Sequence, residues 1–186
     1  MVFCEFLTKF RLDSDEQVKC SPSSITESNL AKGLANGTPI GAFMTSDEIA
    51  EKYTRPGAST LGGNPVSSVA ALATLQVIET EQLPARAREM GKRLKDGLLR
   101  LQQKYPVIGD VRGLGLMLGV ELVNSNGAPA PEITDLVIEE CKNRGILVGK
   151  NGLNRNVLAF QPPLVITAED IDNLLNVLDI VLAQTY

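Results

Sequence analysis

Leu30-Ala31-Lys32-Gly33-Leu34-Ala35-Asn36-Gly37-Thr38-Pro39-Ile40-Gly41 places a single lysine among small and apolar residues and follows it with glycines. Removing a lysine from water disfavours its ammonium form. The neutral amine can condense with an aldehyde to give a Schiff base. Neighbouring glycines let a flat molecule approach the backbone. An ordinary lysine on a glycine-rich surface loop has the same composition, so both readings of Lys32 stand at this level.

Downstream, Gly57-Ala58-Ser59-Thr60-Leu61-Gly62-Gly63-Asn64-Pro65 leads into a helical pattern. Asn64 suits the N-cap and Pro65 the first helical position. Hydroxyls and unpaired backbone N–H groups at such a start form an anion site. A plain capped turn uses the same residues.

Composition excludes several chemistries. The 186 residues include no histidine, which removes Ser-His-Asp and Cys-His catalysis and every histidine-containing metal site. Cys4, Cys20 and Cys141 are too few for a four-thiolate zinc site and too sparse for a disulfide framework, so no metal is expected. A formal net charge of −4 without a basic run gives no footprint for nucleic acid. Residues 1–12 lack the uninterrupted apolar run of a signal peptide, and residues 66–78, the most apolar stretch, are too short to span a bilayer. The expected location is cytoplasmic, with no membrane partner.

Residues 1–29 show no clear period. Ser46 can cap a short helix over 47–53. After Pro65, the residues Val66, Val69, Ala70, Ala73, Val77 and Ile78 fall on one helical face. Pro84 starts another helix, striped by Leu83, Ala87, Met90, Leu94, Leu98 and Leu101. Val111, Leu114, Leu116, Leu118, Val120 and Leu122 carry a strand pattern. A helix over 133–143 ends at Gly145. Short strands are expected at 146–148 and 157–160, the second stopped by Pro162-Pro163. Thr167 caps a final helix striped by Leu174, Leu175, Leu178 and Val181. The order from residue 84, helix-strand-helix-strand-strand-helix, predicts an α/β fold in which helices cover a small sheet.

Several separated blocks, in this order, resemble one family. Ala31-Lys32-Gly33 with Asn36, Gly37 and Pro39 resembles the cofactor-lysine segment of class III aminotransferases, and Ser59-Thr60-Leu61-Gly62-Gly63-Asn64-Pro65 resembles the segment that follows it there. Gly109-Asp110-Val111-Arg112-Gly113-Leu114-Gly115-Leu116-Met117, with Gly119 and Glu121, resembles the start of the family's C-terminal domain. Pro162-Pro163-Leu164-Val165-Ile166-Thr167 resembles its penultimate segment. The similarity runs from about Leu30 to the end and looks most like the alanine–glyoxylate and aspartate-type branch.

The resemblance implies the C-terminal part of a fold type I aminotransferase. Residues 1–83 would be a remnant of the large cofactor-binding domain with its long linking helix (1–29 are not family-like), and 84–186 the small C-terminal α/β domain. It implies pyridoxal 5'-phosphate bound by Lys32 through a Schiff base. It further implies amino-group transfer between an amino acid and a 2-oxo acid, with Lys32 moving the proton between the substrate α-carbon and the cofactor C4′. In the homodimer it implies, Thr60, with Ser59 beside it, would bind the cofactor phosphate of the partner subunit. Arg112 is a candidate substrate-side arginine; a strand residue paired with a carboxylate such as Asp110 is the structural alternative.

Three departures from the family matter. Its acidic stretch upstream of the lysine has its nearest match in Cys4-Glu5-Phe6-Leu7-Thr8, with cysteine in place of the aspartate that pairs with the pyridinium nitrogen. The family's upstream half, with its phosphate-binding glycine turn and ring-stacking aromatic residue, has no counterpart here. Ala159 stands where many relatives carry an arginine for the substrate carboxylate. These departures lead us to expect a truncated chain with impaired catalysis. One alternative is a non-catalytic fragment that acts through association with other chains, which an exposed apolar face along 66–78 would support. Another is a racemase or aminomutase of the same fold.

Overall fold

Residues 27–54, 57 and 59–185 are described by a computed structural model, and they divide into two units between Glu81 and Gln82. In the first, β1 (Glu27–Leu30) pairs antiparallel with β2 (Ala42–Thr45), setting Leu30 opposite Ala42. The chain between them contains the 3-10 turn Lys32–Ala35. Ser46 precedes α1 (Asp47–Ala50), which is shorter than the 47–53 expected. Its acidic first turn, Asp47 and Glu48, suits the positive end of the helix.

Asn64 and Pro65 open α2 (Pro65–Thr80) as their chemistry predicts: the Asn64 side chain accepts the Ser67 N–H at 3.0 Å. The valine-bearing face of α2 is not the one it buries. Ser67, Ala71 and Leu75 are buried, whereas Val66 is 76% and Val69 64% exposed. Small side chains at 67 and 71 let the helix lie close to the Lys32–Ala35 turn, which packs against it. Valines on that face would hold the two apart.

The second unit begins with α3 (Leu83–Lys104), where Leu94, Leu98 and Leu101 are buried. A hairpin follows, β3 (Ile108–Leu114) with β4 (Met117–Leu122), closed between Leu114 and Met117. Sequence alternation from Val111 to Leu122 looks like one strand run, but Gly113 and Gly115 have positive φ and reverse the chain. Leu116 stays buried while Leu114 is exposed.

Next come α4 (Pro131–Asn143), with Gly145 at φ +81 beyond it, then β5 (Gly149–Asn151), β6 (Val157–Phe160) and α5 (Ala168–Thr185). The strand expected at 146–148 lies instead at Gly149–Asn151, because pairing with Val157–Ala159 sets its position. The sheet is antiparallel in the order β3-β4-β6-β5. Leu118, Val120, Leu122, Leu158 and Phe160 join Leu94, Val137, Ile171 and Leu178 in one core. Period-two alternation leaves Gly119, Glu121 and Ala159 less covered.

Thr167 and Asp170 cap α5 reciprocally: the Asp170 N–H donates to Thr167 Oγ1 at 3.1 Å, and the Thr167 N–H donates to Asp170 Oδ2 at 3.0 Å. Arg86 Nη2 donates to the carbonyls of Val165 and Ile166 and holds the segment after Pro162-Pro163. Among the described residues, no helix is long and apolar enough to cross a membrane.

Candidate functional site

Lys32 opens the 3-10 turn with φ +54, in the left-handed region that an L side chain rarely adopts. Such strain persists only where the surroundings hold it, and it gathers at functional positions. The side chain is exposed and has no hydrogen bond or ion pair among the described residues. Asn36 and Gly37 also have positive φ, so the loop reverses tightly after the turn. Ala35, 3% exposed, is its buried anchor.

Lys32 edges an open concavity of about 510 Å³ that runs along the loop as far as Ile40. A Cβ added at Gly33 or Gly37 would meet nothing within 4 Å, so the floor beside the amine is bare. A primary amine next to a bare ledge suits an aldehyde on a flat ring. Among the described residues, Lys32 is the one charged residue lining this space. The stretch therefore brings one primary amine to a bare ledge. It offers there no carboxylate for a ring nitrogen and no second cation for a phosphate. The dry pocket that the amine chemistry would call for is not formed by these residues alone. The upstream Cys4-Glu5-Phe6-Leu7-Thr8 stretch lies outside the described residues.

Ser59 and Thr60 are exposed in the turn before α2. The Gly62 N–H donates to the Ser59 carbonyl at 3.3 Å, and the Thr60 hydroxyl has no partner among the described residues. Neither lines the Lys32 concavity. Both segments are nevertheless tied to the first turn of α2. Asn64 Nδ2 donates to the Leu61 carbonyl at 3.1 Å, and Ser67 Oγ donates to the Pro39 carbonyl at 3.0 Å. Sequence reading identified Asn64 as a cap but gave Ser67 no role. A serine in the first turn of a helix carries no signal of a long-range bond.

Arg112 belongs to the second unit, on β3. Its Nη1 donates to Asp110 Oδ2 at 2.7 Å and to Glu121 Oε2 at 2.6 Å. These bonds, Asp110 first and Glu121 second, hold the guanidinium above its ordinary pKa. Two carboxylates against one cation leave a local excess of negative charge. Arg112 lies in a cross-strand row with Gly119, Ala159 and Gly149. Ala159 is thus a methyl group between two glycines.

Residues 25–182 match the family Aminotransferase class-III. The chain is 44% identical over 153 residues to alanine–glyoxylate aminotransferase 2 homolog 2, mitochondrial, of Arabidopsis thaliana, covering 81% of this chain and 32% of that protein. It is 36% identical over 154 residues to an alanine/serine racemase of Pyrococcus horikoshii, covering 83% of this chain and 32% of the racemase. Among solved structures it is similar to a phospholyase from Arthrobacter in complex with phosphoethanolamine, with a TM-score of 0.83 and 36% identity, covering 85% of this chain and 38% of that one. The chain spans about a third of the length of the curated relatives it matches.

Proposed function

Because this chain belongs to the class III aminotransferase family, we propose that it is the lysine-bearing part of a pyridoxal-phosphate-dependent transaminase that moves an amino group between an amino acid and a 2-oxo acid. The observation that carries this reading is the unpaired Lys32 amine beside the bare glycine ledge. When bound, pyridoxal phosphate supplies an aldehyde for the amine and an electron sink for the substrate. Lys32 Nζ would bind that aldehyde and then carry the proton between the substrate α-carbon and C4′. Ser59 and Thr60 would offer hydroxyls to a phosphate across a homodimer. Arg112 would lock β3 to β4 through Asp110 and Glu121; as a substrate-side arginine it would have only Nη2 and Nε to offer, and the two carboxylates would oppose a substrate anion there. We read the first unit as part of the large cofactor-binding domain, the second as the small C-terminal domain, and the location as cytoplasmic. Because the ledge brings only one charged group, catalysis by this stretch alone would be impaired.

The test is absorbance on mixing the protein with pyridoxal phosphate. The expected result is a band that Lys32→Ala removes and that an amino acid donor bleaches. A band of equal strength in the variant would overturn the reading. Racemisation or aminomutation remains a neighbouring outcome of the same lysine chemistry, and release of 2-oxo acid separates transfer from both. A second reading is supported by the exposed Val66, Val69 and Val77 of α2: this chain associates with other chains through that face. Such an apolar strip on a helix without a charged residue from 65 to 78 is unusual for a free surface. Loss of association in Val69→Asp, with the absorbance band unchanged, would favour it.

A further inference from the structure

We propose that Ser67 is a positioning residue for Lys32: its hydrogen bond to the Pro39 carbonyl fixes the loop that presents the amine. The proposal rests on the reading of Lys32 as the Schiff-base lysine. Helical hydroxyls can bond back to the carbonyl four residues earlier. Thr74 and Thr134 do this, to Ala70 and Ala130 at 2.9 and 2.8 Å. Ser67 does not. Its Oγ reaches 28 residues upstream to Pro39, although the side chain is only 7% exposed. Its own N–H is held by Asn64 Oδ1 at 3.0 Å, which fixes the serine backbone.

The loop needs such an anchor. Lys32 and Asn36 are both left-handed, at φ +54 and +47, conformations an isolated loop would leave. The bonds inside the loop are short-range: Leu34 N–H to Ala31 at 3.3 Å, Asn36 N–H to Gly33 at 3.1 Å and Thr38 N–H to Ala35 at 3.1 Å. Each can move with the loop as a body. The Lys32–Ala35 turn packs against α2, and the Ser67 bond adds a second hold at Pro39. Two points fix the orientation of the ledge as well as its place, and the orientation decides where Lys32 meets an aldehyde. Asn64, which steadies Ser67, also holds Leu61, so the Ser59–Thr60 turn shares the same anchor.

The experiment compares the wild-type protein, Ser67→Ala and Ser67→Cys. Amide hydrogen exchange is read at Asn36 and Thr38, and the rate of the Lys32-dependent absorbance change with pyridoxal phosphate is read in parallel. In Ser67→Ala we expect both loop amides to exchange about fivefold faster, the factor one net hydrogen bond is worth, with a slower absorbance change. Exchange in the body of α2 and in the second unit should hold, and Ser67→Cys, which keeps the size with only a weak S–H donor, should lie between wild type and Ser67→Ala in both readouts. Unchanged loop exchange and rate in Ser67→Ala overturn the proposal. So does an equal acceleration throughout α2, which would mark a purely folding role. If wild type shows no Lys32-dependent band at all, the Lys32 reading itself fails and the proposal falls with it.

Discussion

Gly91 of α3 lies against the backbone of Gly115 in the β3–β4 turn, so close that a Cβ on Gly91 would stand 2.2 Å from the Gly115 carbonyl carbon. The obstacle is backbone and cannot rotate away. Gly91→Ala should therefore lower the stability of the second unit by about 1–3 kcal/mol, despite the better helix propensity of alanine. Gly97→Ala meets the flexible end of Leu175 instead and should cost less than Gly91→Ala. Urea unfolding of the two variants checks the order.

Lys32 offers a backbone test that is separate from its chemistry. At φ +54 alanine keeps the left-handed strain, whereas glycine relieves about 1–2 kcal/mol of it. Glycine also gives some of that back through its freer unfolded chain. Lys32→Gly should leave the loop roughly 0.5–1 kcal/mol more stable than Lys32→Ala, read as slower amide exchange at Asn36 and Thr38. Equal exchange would mean the strained conformation is not held.

Truncating the core should separate it sharply from the surface. Leu122 and Leu94 are both fully buried in the second unit, and Leu122→Ala should cost about 2–5 kcal/mol. Leu153, fully exposed in the turn between β5 and β6, should tolerate alanine within about 0.5 kcal/mol. Chemical denaturation provides both numbers.

Acid should weaken the second unit through three carboxylates. Asp179 is held below the usual carboxylate range by Lys104 and then Tyr105, Asp172 by Arg93, and Asp170 by the Thr167 hydroxyl and N–H. A depressed folded pKa means stability that is complete above the unfolded value near 3.9 and disappears as pH falls through the folded value. The melting temperature should be flat in this respect above about pH 5 and fall below about pH 4. Asp179→Asn should remove its part of that fall. The partners Arg93 and Lys104 are raised instead, so their contribution persists below their unfolded pKa values and is lost only in strong alkali.

Cys141 is buried in α4, and burial pushes its thiol up to about 11, with Glu140 adding to the rise and Arg144 opposing it. The thiolate is the reactive form. At pH 8 the native protein should leave the Cys141 peptide unalkylated, and denaturant should expose it. Rapid native labelling there would contradict the packing of α4.

Local signals explain what sequence reading recovered. Asn64-Pro65 and Thr167 act through their own backbone neighbourhood, so their caps were legible, as was β6 before Pro162-Pro163. The failures lie where distant pairing decides. β5 sits at Gly149–Asn151 because β6 sets its register, although Ile146-Leu147-Val148 has the stronger strand composition. The buried face of α2 follows from the turn packed on it, which the periodicity of its valines cannot reveal. At the candidate site, Lys32 and the Ser59–Thr60 turn were readable as motifs. The Ser67–Pro39 bond was not, because nothing in either residue type announces a partner 28 positions away.

One amine, Lys32 Nζ, decides the chemistry proposed for this chain. Borohydride reduction of the protein with pyridoxal phosphate, followed by peptide mass mapping, reads it directly. We predict one phosphopyridoxyl group per chain, on the peptide carrying Lys32, and none in its place when Lys32 is replaced by alanine. A label scattered over exposed lysines such as Lys52 and Lys92, with Lys32 no richer than the rest, would contradict this assignment.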